Sequence, residues 1–298
     1  MKSGFIGIIG RPNVGKSTLL NTILGEKIAI STDKPQTTRN NIRGIYTRIN
    51  GDEDDCQLIF IDTPGIHKPK NKLGSYMSQM AIKTLKEVDV ILFIVDDLLS
   101  RRTGNHYILD LMKEVDTPKI LLINKIDKLS PDEFKQAYEE YASTGIFTEI
   151  FGISALQGKN VDRVLPKIME LIDEGPMYFP EDMITDHPER FLVSEIIREK
   201  VLLYLEEEVP HGEAVEIESF VEEDRITRIG AVIYCERKSH KGIIIGKEGK
   251  KLKGIGKSAR LEIEAILGTK VFLELWVKVK ENWRDSQSAI SIFGYNKE

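Results

Sequence analysis

The chain has 298 residues and a formal net charge of −5 at pH 7, with 41% apolar and 30% charged residues, which predicts a soluble, cytoplasmic protein of two domains. No apolar run is long enough to span a membrane, and the N-terminus lacks a secretory signal pattern. Cys56 and Cys235 stand alone in the sequence, which excludes a disulfide framework and a paired-cysteine metal site.

Short apolar runs alternate with helical periodicity in the first part of the chain. The runs are FIGIIG, LIFIDT, VDVILFIVD, TPKILLIN and TEIFGIS, and such continuous runs are typical of strands covered on both faces. They predict a doubly wound, mainly parallel α/β sheet, to which NIRGIYTRIN adds an antiparallel edge strand. In SPDEF, Ser130 and Glu133 predict a helix start with a capping box. This first domain is expected to cover residues 1–175.

The pattern changes after a segment that contains two prolines. Residues 176–185 show no clear period and are interpreted as a linker. Residues 186–298 predict a smaller α+β domain, with a helix from about 188 to 208, strands near 213–222 and 226–236, glycine-punctuated basic segments and a last strand, VFLELWVKV.

The stretch GRPNVGKS, from Gly10 to Ser17, follows the first predicted strand and opens a helix. It matches G-x-x-x-x-G-K-S, in which backbone N–H groups surround phosphates, the lysine neutralises them and the serine ligates Mg²⁺. An ordinary glycine turn is the alternative, and the strand, loop and helix context disfavours it. The residues predicted to contact the nucleotide here are Asn13, Val14, Gly15, Lys16, Ser17 and Thr18.

Three further motifs stand at predicted strand ends. Asp62 and Gly65 of DTPG are expected to hold the Mg²⁺ shell and to sense a γ-phosphate. In NKID, Asp127 can accept two hydrogen bonds that guanine offers and adenine lacks, which predicts GTP rather than ATP. ISA closes the last strand, where it could support the base. The residues predicted around the base are Asn124, Lys125, Asp127, Ser154, Ala155 and Leu156.

The order and placement of these motifs resemble the translation-factor-related class of P-loop GTPases. The resemblance implies that Thr38 in KPQTTRNN completes the Mg²⁺ shell with Ser17 and Asp62, and Thr37 is the second candidate. Ile66 stands where small regulatory GTPases carry a glutamine that orients the attacking water. Hydrolysis by the isolated protein is therefore expected to be slow.

Asn13 is similar to an asparagine that binds K⁺ in GTPases with an apolar residue after the DTPG motif. The alternative is a loop residue that hydrogen-bonds its own backbone. The implied cofactors are GTP or GDP and Mg²⁺, with K⁺ as a further candidate. The residues predicted to act in hydrolysis are Asn13, Lys16, Thr38 and Gly65.

A basic strip runs from Arg237 to Arg260, where nine cations face one anion, Glu248, for a local net charge of +8. Within it, IIIGKEGKK places G-x-x-G before a helix expected to turn Leu252, Ile255, Ala259, Ile263 and Ile266 inward. Such a loop clamps about four nucleotides of RNA, and the alternative is a solvated helix face. The residues predicted to contact RNA are Ile245, Gly246, Lys247, Glu248, Gly249, Lys250, Lys253 and Lys257.

Two tryptophans near the C-terminus are further candidates for RNA contact. Trp276 and Trp283 could stack bases. Trp276, however, lies in a predicted strand, so we expect it in the core.

A P-loop GTPase domain followed by a KH domain of type II resembles the Era-like GTPase family. The segments GRPNVGKS, PQTTR, DTPG, NKID, GKEG and VFLELWVKV carry the resemblance over nearly the whole chain. It implies GTP-controlled binding near the 3′ end of 16S ribosomal RNA and a role in assembly of the 30S subunit.

The protein is further expected to be a monomer without a DNA partner. The family resemblance also implies a peripheral association with the inner membrane, although the sequence shows neither a lipidation motif nor a basic amphipathic helix with a clean apolar face. Two alternatives stay open. One is a GTPase that assists tRNA modification, and the other is an RNA-binding module with a structural nucleotide.

Overall fold

The computed structural model describes residues 1–32, 34, 36–51, 55–98, 103–205 and 212–295. Contacts between residues divide the chain into two compact units. The first unit consists of Met1–Ser31, Thr38–Pro69 and Gly74–Asp186. The second consists of Thr32–Thr37, Lys70–Leu73 and His187–Glu298.

Six strands form one sheet in the first unit. They are β1 (Lys2–Gly10), β2 (Ile42–Arg48), β3 (Cys56–Asp62), β4 (Val90–Val95), β5 (Lys119–Ile123) and β6 (Glu149–Gly152). Their spatial order is β2-β3-β1-β4-β5-β6. Strand β2 pairs with β3 in antiparallel fashion, and the other neighbours pair in parallel. The predicted doubly wound sheet and its antiparallel edge strand are therefore confirmed.

Five helices accompany this sheet in the sequence. They are α1 (Lys16–Leu24), α2 (Lys72–Glu87), α3 (Thr103–Lys113), α4 (Pro131–Ala142) and α5 (Val164–Leu171). All six residues of β4 and all five of β5 are buried, as expected for strands covered on both faces. Helix α4 begins with the predicted capping box, in which Ser130 and Glu133 each accept the other's backbone N–H.

The segment interpreted as a linker lies along the outer strands of the first sheet. Gln57 of β3 is fully buried, and its Oε1 accepts the N–H groups of Tyr178 and Phe179 at 2.7 and 2.9 Å. Its Nε2 donates to the Phe179 carbonyl at 2.8 Å. Further along, the N–H of Ile45 in β2 donates to the Ile184 carbonyl at 2.9 Å. The packing of this segment is thus defined by specific hydrogen bonds.

Three strands and four helices make up most of the second unit. They are α6 (Glu189–Tyr204), β7 (Ala214–Glu223), β8 (Ile226–Cys235), α7 (Lys238–Ile245), α8 (Lys250–Leu267), β9 (Lys270–Val279) and α9 (Gln287–Ile292). Strand β8 lies between antiparallel β7 and parallel β9. The predicted end of the first helix, near 208, lies outside the described residues. Helix α9 was not predicted. Across the described ranges, no helix is both long and apolar enough to cross a bilayer.

Three apolar positions of this unit differ from the prediction. Trp276 is 44% exposed, because β9 alternates and turns it to the outer face, so the expectation of a core position was wrong. Trp283 is fully buried and donates to the Gly212 carbonyl at 2.9 Å, which excludes it as a base-stacking platform. Ile266 is 40% exposed, because the inward stripe of α8 continues from Ile263 to Leu267 instead.

Candidate functional site

The loop between β1 and α1 depends on two residues with left-handed backbone, Gly15 at φ 104° and Asn13 at φ 65°. A Cβ on Gly15 would lie 2.2 Å from Asn124 Nδ2, so only glycine permits this approach. The buried Asn124 amide donates to the Val14 carbonyl at 2.8 Å and accepts the Ala155 N–H at 2.9 Å. One side chain thereby joins the phosphate loop to both predicted base-binding segments.

Lys16 lies buried inside this loop. Its Nζ donates to the Arg11 carbonyl at 2.9 Å and to the Gly10 carbonyl at 3.4 Å. Burial lowers the pKa of Lys16 to about 8, although the carboxylate of Asp62 opposes the shift. A buried cation at a helix N-terminus fits an anionic phosphate, which would remove the electrostatic cost of burial.

Ser17, Thr38 and Asp62 meet beside this lysine. The Ser17 hydroxyl donates to Asp62 Oδ2 at 2.6 Å and lies 2.9 Å from Thr38 Oγ1. Burial raises the pKa of Asp62 to about 6, and its Oδ1 has no hydrogen-bond partner among the described residues. Two hydroxyls and a carboxylate with a spare oxygen fit Mg²⁺. Thr37 instead donates to the Lys34 carbonyl at 2.6 Å, so the structure brings Thr38 to this cluster.

The DTPG segment packs closely against the phosphate loop. A Cβ on Gly65 would lie 2.5 Å from the backbone nitrogen of Pro12, and the Ile66 N–H donates to the Gly10 carbonyl at 3.1 Å. The Ile66 side chain is buried in the apolar core. It therefore offers no polar atom to a water molecule at the nucleotide.

The NKID segment presents the predicted guanine acceptor to solvent. Asp127 is exposed, and the hydroxyl of buried Ser154 holds the pKa of its carboxyl below the ordinary value. Lys125 has left-handed backbone at φ 62°, and its Nζ donates to the Asn13 carbonyl at 2.8 Å. Leu156 is 80% exposed, so its side chain is open to a ligand.

Arg11, which belongs to the phosphate loop, and Asp96 were not among the predicted site residues. Arg11 Nη2 lies 3.2 Å from Asp96 Oδ1, and Arg11 Nε donates to Asn105 Oδ1 at 2.8 Å. Asp96 follows the last residue of β4, at the same edge of the sheet as the DTPG and NKID motifs. Its position at a strand end is the signal that could have found it. Thr18 was predicted to contact the nucleotide, and its Oγ1 lies 2.8 Å from the Ser31 hydroxyl.

The G-x-x-G segment forms a tight turn between α7 and α8. Gly246, Glu248 and Gly249 all have positive φ, at 72°, 53° and 73°, and a Cβ on Gly246 would lie 2.6 Å from Lys251 Cβ. Ile245 is half-buried at the end of α7. The turn and the first turns of α8 present exposed side chains of Lys247, Glu248, Lys250, Lys253 and Lys257. Backbone and cations therefore share one surface, as a phosphate-contacting loop requires.

Comparisons with known proteins agree with both units. A family model described as a 50S ribosome-binding GTPase matches residues 5–125, and a KH domain model matches residues 208–284. GTPase Era from Alkaliphilus oremlandii is 58% identical, and GTPase Era from Clostridioides difficile is 57% identical, each with 99% of both chains covered.

Two crystal structures match the whole chain. One is Era in complex with MgGDPNP and nucleotides 1506–1542 of 16S ribosomal RNA, with a TM-score of 0.94, 43% identity and full coverage of both chains. The other is a variant of Aquifex aeolicus Era bound to GDP·AlF4⁻, with the same values. The chain therefore belongs to the Era family of GTPases, enzymes that hydrolyse GTP.

Proposed function

We propose that this GTPase binds the 3′-terminal region of 16S ribosomal RNA through its KH domain, and that its nucleotide state controls this binding during assembly of the 30S subunit. The observation that carries the proposal is the exposed, lysine-lined turn from Gly246 to Gly249. The full-length match to Era crystallised with MgGDPNP and nucleotides 1506–1542 of 16S RNA supports the same partner. We assign no DNA partner.

Fluorescence anisotropy with an RNA of nucleotides 1506–1542 tests this proposal. The affinity should be higher with GDPNP than with GDP, and a scrambled RNA of the same composition should bind more weakly in both states. Equal affinities with the two nucleotides would favour the alternative of an RNA-binding module with a structural nucleotide. Absence of binding in both states would overturn the proposed RNA target.

Co-sedimentation with purified subunits tests the proposed role on the ribosome. We expect the GDPNP-bound protein to migrate with 30S and not with 50S subunits. The family model that matches residues 5–125 is described as a 50S ribosome-binding GTPase, so binding must be measured with both subunits. Stable binding to 50S subunits alone would contradict the assignment.

The alternative role in tRNA modification would require a further catalytic region, whereas relatives named GTPase Era have the length of this chain.

For the first domain, taken as residues 1–175, we propose that Lys16 and the loop N–H groups hold the phosphates and that Asp127 selects guanine. Lys16 would stabilise the charge that develops on the γ-phosphate, and the Gly65 N–H would contact that phosphate. Ser17, Thr38 and Asp62 would hold Mg²⁺, which when bound neutralises phosphate charge. Asp62 Oδ1, which has no hydrogen-bond partner in the part of the chain that the structure describes, supports this assignment.

Hydrolysis is proposed to be slow and to depend on K⁺ near Asn13. Support comes from the buried, apolar side chain of Ile66, which cannot orient water, and from the exposed, left-handed Asn13 in the phosphate loop. Single-turnover rates in K⁺ and Na⁺ should differ for the wild-type protein, and the difference should vanish in Asn13→Ala. Equal rates in the two salts would remove K⁺ from the mechanism and leave the GTPase assignment standing.

The remaining proposals concern the state of the protein in the cell. We propose that the protein is a cytoplasmic monomer and, from the family resemblance, that it associates peripherally with the inner membrane. The molar mass in solution, measured by light scattering, tests whether the protein is a monomer. Flotation with vesicles of inner-membrane lipid composition tests the association, and recovery of the protein only in the vesicle-free fraction would contradict it.

A further inference from the structure

We propose that Asp96 is a positioning residue for nucleotide retention, because its carboxylate joins the phosphate loop and the guanine-binding segment at the end of β4. The inference rests on the GTPase activity of the family and not on the RNA binding proposed above. Asp96 belongs to none of the sequence motifs, and its side chain is only 20% exposed.

The two oxygens of Asp96 bind two different cations. Oδ1 accepts from Arg11 Nη2 at 3.2 Å, and Oδ2 accepts from Lys125 Nζ at 2.6 Å. Arg11 belongs to the phosphate loop, and Lys125 belongs to NKID. Hydrogen bonds in which both partners are charged are the stronger ones in proteins. A single carboxylate therefore holds both nucleotide-binding loops to the end of one buried strand.

The same lysine returns to the phosphate loop. Lys125 Nζ also donates to the Asn13 carbonyl at 2.8 Å. Asn13 and Lys125 both have positive φ, at 65° and 62°, a backbone conformation that non-glycine residues adopt only when their surroundings hold it. Asp96 supplies this support, because it fixes the ammonium that links the two strained residues.

A second chain of hydrogen bonds holds Arg11 from the opposite side. Arg11 Nε donates to Asn105 Oδ1 at 2.8 Å, and Asn105 Nδ2 donates to the Tyr141 hydroxyl at 2.7 Å. Asn105 in α3 and Tyr141 in α4 are fully buried. Because arginine only donates, the orientation of the Asn105 amide is fixed. The guanidinium can therefore neither rotate nor leave Asp96 without breaking a buried network.

The charges explain why a carboxylate is required at this position. Arg11 and Lys125 are two cations that share one anion. Without that anion they would repel each other in a partly buried site, and the loops that carry them would separate. A bound nucleotide spans both loops, so their separation should speed its release more than it slows its entry.

The test compares Asp96→Asn with Asp110→Asn in the full chain. Asp110, on α3, is also a carboxylate paired with a lysine, but its side chain is 70% exposed, so its substitution leaves the Asp96 network intact. Stopped-flow release of methylanthraniloyl-GDP should be at least about tenfold faster in Asp96→Asn, since the group that bonds to both cations loses its charge. The association rate should change less than about threefold. In Asp110→Asn both rates should stay within about twofold of wild type.

A double-mutant cycle with Lys125→Met separates positioning from a general loss of stability. If Asp96 acts through Lys125, then Asp96→Asn should speed release much less in the Lys125→Met background than in wild type. Release rates that multiply independently would overturn the proposal, as would a wild-type release rate in Asp96→Asn. Equal acceleration in Asp110→Asn would also overturn it. The GTPase assignment itself would fail only if the wild-type protein did not bind the labelled GDP.

Discussion

At the scale of single residues, Asp127 is the residue proposed to decide which base the site accepts. The Ser154 hydroxyl lowers the pKa of its carboxyl further below neutral pH. In Asp127→Asn, affinity for GDP should fall about 100-fold, since two hydrogen bonds to a charged group are lost. Affinity for XDP should rise above that for GDP, because the amide can donate to the base oxygen of xanthine. Isothermal titration with GDP, XDP and ADP measures this change, and tight binding of ADP by wild type would contradict the assignment.

The buried carboxyl of Asp62 predicts that nucleotide affinity and stability depend on pH. Burial raises the pKa of Asp62 to about 6, so below that pH the nucleotide-free protein holds a proton that Mg²⁺ would have to displace. Affinity for Mg·GDP should therefore rise with pH up to about 6 and level off above it. Over the same window the nucleotide-free protein should lose stability as pH rises, because the unfolded chain deprotonates earlier.

The control for this pH prediction is GDP in the presence of EDTA. Without Mg²⁺, the proton on Asp62 has no competitor, so the affinity should not rise between pH 5 and 6 as it does with the ion. An identical pH profile with and without Mg²⁺ would show that Asp62 does not hold the metal ion.

Residues fixed by local motifs could be predicted, and residues fixed by distant partners could not. Lys16 and Ser17 were predicted because the phosphate loop needs these side chains at fixed spacing, and Asp62 was predicted because it belongs to DTPG; the structure brings the three together. The pairing of Arg11 with Asp96 was missed because the contact joins positions 85 residues apart, although the strand-end position of Asp96 alone marks it as a candidate. A pattern in one segment cannot report such a pairing.

At the scale of elements, the turn between α7 and α8 should control RNA binding. Changing Lys247 and Glu248 both to Asp leaves two carboxylates where the RNA backbone passes, so binding should be lost. Filter binding with the 16S fragment measures the effect. The matched control changes Lys135 and Glu139 of α4 to Asp, because this pair is also exposed, and its RNA affinity should stay within about twofold of wild type. If the turn variant bound RNA as tightly as the wild-type protein, the basic strip would be only a solvated helix face.

The segment 176–185 should contribute to the stability of the first unit through Gln57. In Gln57→Leu, the N–H groups of Tyr178 and Phe179 lose their acceptor, which should lower the free energy of unfolding by about 2–5 kcal/mol. Urea denaturation measures the loss. Gln136→Leu on exposed α4 is the control and should change stability by less than about 0.5 kcal/mol. Equal stability of the two variants would contradict this role.

Elements with a clear period were predicted well, and the packing of irregular ones was not. The buried strands and the capping box of α4 follow from local patterns. The segment after residue 175 has no period, so nothing in it indicated that Gln57, 121 residues away from Tyr178, would bind it. Trp276 was misassigned for a related reason, because burial of one strand face depends on the register that the neighbouring strand sets.

At the scale of the whole molecule, charge is distributed unevenly. The chain has a net charge of −5, yet the strip from Arg237 to Arg260 carries +8. RNA affinity should therefore fall steeply with salt. In Lys253→Ala or Lys257→Ala the slope of log affinity against log salt should become smaller by about one. Lys135→Ala, on α4, should leave the slope unchanged. A steep slope that neither substitution in the strip alters would assign the phosphate contacts to other cations.

The packing of residues 176–185 has a further consequence for the sheet of the first unit. Strand β2 is an edge strand of the six-stranded sheet, so only one of its two sides pairs with another strand of that sheet. The Ile184 carbonyl accepts the Ile45 N–H of this strand, and the Thr185 hydroxyl donates to the Arg43 carbonyl at 2.7 Å. Open edges recruit strands from other molecules. We therefore expect a fragment that stopped at residue 175 to expose this edge and to self-associate, which size-exclusion chromatography would detect.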